Sequence, residues 1–382
     1  MKIVHLCLSA FFIDNYSYQE NMLPKYHVKL GHDVTVIASL FTYGTDGRGR
    51  WLDGYSEYDD KNGFHVVRLP YKKPLLINKI LRHYNRFEEI LEREAPDILF
   101  SHNVSFADIS VLVKYLKKHP NVKVYADNHA DFINSAKNFF SKHILHPIIW
   151  RHYAKMLEPF LIKCYGVIPV RCRFLKEMYH INPGIIEYLP MGVDDESIPS
   201  DRLKVRVAIR KKLSIPEDEI VLFSGGKIDQ LKNTHVLIEA LKGTDKKDVH
   251  LIICGTLTPD MEYLKTEFDR NHNIHYMGWC NSEQVMNCMV ASDIACFPGT
   301  HSTLWEQSVG VGLPAIFKRW PEMEHVNVND NCIFVNGDDV EELNTAISIM
   351  LDNVKFNHYK SNAIEASGSF LYSEISKKAI QL

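Results

Sequence analysis

Short apolar runs alternate with longer amphipathic stretches along the whole 382-residue chain. The first half carries such runs at 2–8, 33–38, 64–68, 97–101, 122–126 and 165–170. The second half carries them at 220–224, 249–254, 273–276, 293–297, 314–317 and 332–335. Runs that are apolar at consecutive positions suit strands buried on both faces, as in a parallel sheet covered by helices. Alternation with helical stretches then gives βαβ units. The series starts twice. The pattern predicts an α/β fold with two Rossmann-like, doubly wound domains and ligand sites at the carboxyl ends of the strands. The polar, turn-rich segment 190–203 (PMGVDDESIPSDRL) reads as the linker, and FLYSEISKKAIQL at the end reads as helical. The expected domains are 1–196 and 197–365, with 366–382 a C-terminal helix crossing back to the first domain.

Composition narrows this only a little. Hydrophobic residues make up 46% and charged residues 24%, which fits a globular chain long enough for two cores. The net charge of −3 gives no general reason to expect nucleic acid as a partner. Residues up to 196 hold 25 basic and 22 acidic side chains, and the remainder holds 19 and 25, a mild asymmetry. None of the eight cysteines forms a C-x-x-C pair, and several lie inside apolar runs, so they read as reduced, buried thiols. The start, Lys2 followed by IVHLCLSAFFI, lacks a small-x-small cleavage site and reads as a first buried strand. No apolar run approaches the ~20 residues needed to span a bilayer. The expected location is cytoplasmic.

Two segments carry candidate chemistry. In FSGGKIDQLKNTHVLIEAL (223–241) a strand ends at Ser224, Gly225 and Gly226 open a turn, and a helix follows from about Lys232. Glycines let backbone amides approach a ligand, and a helix N-terminus favours anions. Lys227 and Lys232 add positive charge there, which suits a diphosphate leaving group. In CFPGTHSTLWEQSVGVGLPAIF (296–317) a strand runs through a polar loop into a helix beginning near Thr303 and ending at Gly312. Ser302 and Thr303 can cap that helix or hold a phosphate or sugar hydroxyl. Glu306 would sit in its first turn, where a carboxylate can accept from a ribose diol or simply complement the helix dipole.

The order of these segments resembles the group 1 (family 4) retaining glycosyltransferases of the GT-B fold. The residues that carry the resemblance are G-K-x-x-x-x-K after a strand, LIICGTL, NIHYMGWCNSEQV and DIACFPG…WEQSVGVGLPAIF, with KLGHDVTVIAS and YLPMGVD in the first half. It covers nearly the whole chain. It implies two Rossmann-like domains facing a central cleft, and a nucleotide-diphosphate sugar as donor substrate with no other cofactor. Lys227 takes the place of the family's arginine and Lys232 that of its lysine, both facing the diphosphate. Glu306 matches the second glutamate of the paired motif, the one that holds the ribose. Gly278, with Trp279 and Cys280, matches the turn bordering the base. His129, within YADNHADF, falls where the family has a histidine near the transferred sugar. It otherwise reads as a strand-end histidine satisfying backbone groups.

Two departures qualify the match. The family's first glutamate would lie at Pro298, so that acid is absent or supplied from elsewhere; in the loop GTHSTLW, His301 or Ser302 is expected to do part of its work, with Thr303 and Leu304 beside them on the donor side. Arginine to Lys227 also gives up bidentate geometry while keeping charge. The N-terminal loop 11–23 offers Tyr18, Gln19 and Glu20 as acceptor-side contacts, or else an ordinary helix start. There is no D-x-D, and metal-free stabilisation of the leaving group is expected. The stretches 71–87 and 137–160 interleave basic and apolar residues. They read first as helices packing an apolar face on the sheet. The other reading is a peripheral membrane contact, as a lipid-linked rather than a carbohydrate acceptor would need. The expected activity is sugar transfer with retention to a hydroxyl acceptor, in cell-surface polysaccharide or glycoconjugate assembly. The rivals are a sugar-nucleotide epimerase on the same fold and a non-catalytic partner subunit.

Overall fold

In the computed structural model of the protein, the residues described are 1–44, 48–133, 135–243 and 248–382. They form two compact units, Met1–Pro190 with Ile375–Leu382, and Met191–Glu374.

The first unit contains β1 (Lys2–Cys7), β2 (Asp33–Ser39), β3 (Phe41–Tyr43), β4 (Gly49–Trp51), β5 (Ser56–Asp59), β6 (His65–Leu69), β7 (Ile98–His102), β8 (Lys123–Asn128), β9 (Leu161–Gly166) and β10 (Ile186–Tyr188). Among the described residues, eight of these make one sheet in the order β10-β9-β8-β7-β1-β2-β6-β5, with β3 and β4 a separate hairpin. β5 runs antiparallel to β6, while the other neighbours are parallel. The central strand β1 is buried on both faces: Val4 and Leu6 pack with Ile37 and Leu99 in one core, while Ile3, His5 and Cys7 are buried on the other face.

Three local readings change. The apolar run 165–170 is not one strand: β9 ends at Gly166, and Pro169 opens the helix Pro169–Glu177. Proline has no N–H for a ladder, and its fixed φ suits the first helical turn. In the stretch 71–87 the helix Leu75–Leu81 buries none of its residues, and Leu75, Leu76, Ile77 and Ile80 are all more than half exposed. The expected packing onto the sheet is therefore not made there. The stretch 137–160 contains a wide π-helix, Ser141–Trp150, followed by the α-helix Arg151–Leu157. Pro147 lies inside that π-helix, where it can supply no amide to a regular α-helical ladder. His146 and Trp150 are buried, while Phe139, Phe140 and Ile148 are exposed.

The second unit contains β11 (Ile220–Gly225), β12 (Val249–Cys254), β13 (Ile274–Gly278), β14 (Ile294–Phe297), β15 (Ala315–Lys318) and β16 (Cys332–Val335). They form a parallel sheet in the order β13-β12-β11-β14-β15-β16. The chain builds outward from β11 to β13, then returns to place β14 on the other side of β11. That reversal makes the carboxyl ends of β11 and β14 the topological switch point, where open α/β sheets bind ligands. No helix among the described residues is long and apolar enough to cross a membrane.

Candidate functional site

The switch point of the second unit is built from two loops held against each other. β11 ends at Gly225, and Gly226 follows with φ of +112°, a conformation that needs no Cβ. A short turn, Gln230–Lys232, precedes Asn233 in the left-handed region, so the helix starts at Thr234 rather than at Lys232. The second loop, after β14, crosses this turn at Gly299. A Cβ on Gly299 would lie 2.3 Å from the Lys232 backbone. The two loops are also hydrogen-bonded: Thr300 N donates to Leu231 O at 2.9 Å. The Asn233 side-chain amide reaches the carbonyls of Pro298 and Gly337 and the Asp338 carboxylate at 2.7–3.1 Å.

Lys232 lies half-buried in this junction and donates from Nζ to Thr300 O at 2.6 Å and His301 O at 3.2 Å. Burial lowers its proton affinity, with the charge of Asp229 opposing. Glu306, in the first turn of the helix Leu304–Val311, is fully buried. His301 and His325 both donate from Nε2 to its Oε1 at 2.8 Å. Burial alone would raise the carboxyl pKa, but the two imidazoles outweigh it and hold Glu306 well below the usual carboxylate range. Its second oxygen, Oε2, is buried with no hydrogen-bond partner, and so is the Ser302 hydroxyl. Buried polar atoms in this state are the places where a ligand or water completes the network.

The other expected residues are placed as follows. Gly225, Gly226, Lys232, His301, Ser302, Leu304 and Glu306 meet at the switch point, with Thr303 at the exposed cap of the helix. Lys227 projects into solvent from the same turn. Gly278, with φ of +66°, ends β13 on the same edge of the sheet, and Trp279 beside it is 76% exposed. In the first unit, His129 follows β8 and lines a cavity of about 360 Å³ together with Glu20, Arg82, Asn103 and Trp150. Gln19 is buried, and its amide is committed to Asp127 Oδ2 at 3.3 Å. Tyr18 is exposed beside Tyr16 and does not line that cavity.

Among the described residues two clusters bring metal-ligating side chains together, Glu20–His102–His129 and His301–Glu306–His325. In the first, both ring nitrogens of His102 are already hydrogen-bonded, to His5 and to Asp127. In the second, both imidazoles converge on one carboxylate oxygen, each committing its Nε2 to it.

The family model for glycosyl transferases group 1 matches residues 205–366, and that for glycosyltransferase family 4 matches residues 23–197. The chain belongs to the group 1, family 4 glycosyltransferases. Solved structures of low sequence identity share its GT-B fold. A glycosyltransferase from Rickettsia africae ESF-5 is similar over 100% of this chain and 97% of that one, at 18% identity and a TM-score of 0.68. The sucrose-phosphate synthase of Thermosynechococcus elongatus is similar over 100% and 97%, at 14% identity and 0.66. The Anabaena protein HepE, in complex with UDP and glucose, is similar over 100% and 98%, at 13% identity and 0.66. Among curated proteins, granule-bound starch synthase 2 of Solanum tuberosum is 26% identical over 91 residues. That match spans 23% of this chain and only 12% of the starch synthase.

Sequence reasoning about this glycosyltransferase missed His325 and Asn233. His325 reaches Glu306 from the segment after β15, with no local pattern to announce it. Asn233 was visible only as a polar residue at a helix start, although asparagine is among the few residues that readily enter the left-handed region.

Proposed function

We propose that this glycosyltransferase moves a sugar from a nucleotide diphosphate donor to a hydroxyl acceptor, with retention and without a metal ion. The observation that carries the reading is Glu306: a buried, charged carboxylate with one oxygen clamped by two imidazoles and the other left for a ligand. A ribose diol supplies the donors that Oε2 lacks. Lys232 has a third N–H beyond the two it gives to carbonyls, and Lys227 stands in solvent on the same turn. Together with the N-terminus of the helix Leu304–Val311 they would stabilise the departing diphosphate. As the bond from the anomeric carbon to the diphosphate oxygen breaks, the acceptor oxygen bonds to that carbon from the same face and passes its proton to the departing diphosphate oxygen. In this reading His301 or Ser302 does part of the work of the glutamate absent at Pro298. His129 is assigned to the sugar in the first unit.

Support also comes from what related folds hold, since HepE has been solved with UDP and glucose. Titration of the full chain with UDP, ADP and GDP tests donor binding, and product anomers read by NMR test retention. Binding of diphosphates with no turnover of any donor–acceptor pair would favour the partner-subunit reading. Conversion of the donor sugar without transfer would favour the epimerase. Loss of activity on chelation, restored by a divalent ion, would overturn metal independence.

A second reading concerns the acceptor. The exposed Leu75, Leu76, Ile77 and Ile80, with Lys72, Lys73 and Lys79 around them, favour a peripheral membrane contact and hence a lipid-linked acceptor for surface glycoconjugates. Sedimentation with anionic vesicles tests it, and absence of binding at low salt would leave a soluble carbohydrate acceptor.

A further inference from the structure

A line of hydrogen-bonded histidines runs through the first unit behind His129. His27 Nε2 donates to the carbonyl of Ser376 at 3.0 Å. His27 Nδ1 pairs with His5 Nε2 at 2.9 Å, and His5 Nδ1 pairs with His102 Nε2 at 3.1 Å. His102 Nδ1 pairs with Asp127 Oδ2 at 2.8 Å. His5, His27, His102 and Asp127 are all fully buried. They come from β1, the helix Gln19–Lys29, β7 and β8, and Ser376 comes from the last helix, Tyr372–Ala379. The order of strands in the sheet, β8-β7-β1, sets Asp127, His102 and His5 side by side.

Counting hydrogens decides the charge of this line. Each of the four hydrogen bonds needs one hydrogen, and every ring nitrogen takes part in one bond. Neutral histidines carry one N–H each, so three rings supply three. A carbonyl at one end and a carboxylate at the other supply none. The fourth hydrogen must be an extra proton, on a ring or on Asp127. Asp127 also accepts from the Asn103 N–H at Oδ1, at 3.1 Å, which favours its charged form. Burial and neighbouring imidazoles press His5 well down, and burial brings His27 to about 4. The extra proton therefore rests on His102, paired with Asp127. Moving the hydrogen within each bond carries that charge from His102 to His5 to His27 with the proton count unchanged.

The hydrogen-bonded line ends at Asp127, and His129 lies beside that end. The His129 Nε2 lies 3.3 Å from Asp127 Oδ2 and 3.8 Å from Glu20 Oε1. We propose that His27, His5 and His102 form a buried proton wire holding one proton more than three neutral rings supply, and that this charge sets how strongly Asp127 binds the proton of His129. Burial by itself would lower the pKa of His129, yet Asp127 and Glu20 outweigh it and raise it. Among the described residues, the titratable groups that face the wire and its end include Glu20, His32, Arg171 and the buried thiols of Cys7 and Cys164, besides its own members. His102 is thus a positioning residue: it touches no substrate, and acts by sharing the charge of Asp127. Only the assignment of His129 to the sugar rests on the proposed function; the wire does not.

The test uses the full chain labelled with ¹⁵N-histidine, and reads ring nitrogens by NMR. One imidazolium should persist at pH 8 and vanish in His102→Asn. In Asp127→Asn the new amide can donate to His102 Nδ1, so all four bonds survive with neutral rings and the signal should disappear. The same variant should lower the proton affinity of His129 about tenfold, because an opposite charge has gone, and His102→Asn should raise it severalfold. Neutral patterns for all three rings in the unaltered protein would overturn the wire, and so would an imidazolium that survives Asp127→Asn. An unmoved His129 titration in both variants would overturn its coupling to His129. The first measurement needs no variant to fold, and none of the three needs a known donor.

Discussion

Lys232 Nζ lies 2.6 Å from the carbonyl oxygen of Thr300, so the lysine of the glycine turn is held by the loop that follows β14. The charge is thus fixed before any ligand arrives, in a half-buried place where burial already lowers its proton affinity. An anionic ligand would restore that affinity as it binds. Lys232→Ala should weaken binding of a nucleotide diphosphate by on the order of a hundredfold, the scale for losing one preorganised donor to a charged oxygen. Lys232→Arg should not restore it, because the bulkier guanidinium must fit where Gly299 already abuts the Lys232 backbone. Calorimetric titration with UDP checks both. An unchanged Kd in Lys232→Ala would remove this residue from the donor site.

Glu306 predicts a direction with pH. Its carboxyl is held far below its ordinary value by His301 and His325 against the opposing effect of burial. A depressed carboxylate contributes stability that is fully present above the unfolded value, about 4.3, and is lost as pH falls toward the folded one. Glu306→Gln should therefore be less stable than the unaltered protein at pH 7, with the difference shrinking below about pH 4.5. His325→Leu leaves the buried carboxylate with one imidazole and should cost about 3 kcal/mol at pH 7. Urea unfolding at pH 7 and pH 4 reads both differences. A Glu306→Gln difference that widened on acidification would contradict the sign.

Most strands were legible because burial on both faces writes itself as a continuous apolar run. β12 and β16 coincide with theirs, and β2 and β11 each extend one residue further. The run at 165–170 misled because hydrophobicity does not distinguish a strand end from the buried turn and proline-led helix that follow it. β3, β4 and β10 are only three residues long, β4 exposed and the other two half-buried, so no apolar run was long enough to mark them. At the candidate site, the glycine turn and the loop before Glu306 were legible as local spacing. The second imidazole on Glu306 comes from nineteen residues further on, and the His27–His5–His102 line from three separate elements. Contacts of that kind are set by sheet order, which a linear pattern does not display.

The helix Leu75–Leu81 predicts a measurable membrane affinity. Leu76 is 76% exposed and Ile80 52%, on a helix with no buried residue. Replacing one fully inserted leucine or isoleucine by serine removes roughly 2 kcal/mol of apolar burial, so Leu76→Ser and Ile80→Ser should each cut vesicle partitioning by on the order of tenfold. Their folding stability should stay within about 0.5 kcal/mol of the parent, since neither side chain is buried. Vesicle sedimentation against thermal unfolding separates the two effects. Lost stability with unchanged partitioning would show that these residues pack within the protein instead.

Asn233 ties the two site loops together and predicts a graded effect. Its amide reaches three acceptors in the segments after β14 and β16, and its backbone sits at φ of 55°. Asn233→Gly keeps the left-handed conformation but leaves the buried carbonyls of Pro298 and Gly337 short of a donor, a loss of about 1–3 kcal/mol. Asn233→Ala loses the same bonds and adds the cost of an ordinary side chain in that conformation, roughly 1 kcal/mol more. Both should loosen the Lys232 and Thr300 junction, so nucleotide affinity should fall in parallel with stability. Asn233→Asp keeps the shape but removes the donors and sets a second carboxylate beside Asp338, so it should be the least stable of the three. Chemical denaturation ranks them, and titration with UDP shows whether affinity follows. If affinity held while stability fell, the junction would matter to the fold alone, and Lys232 would have to reach the diphosphate without the support of the loop after β14.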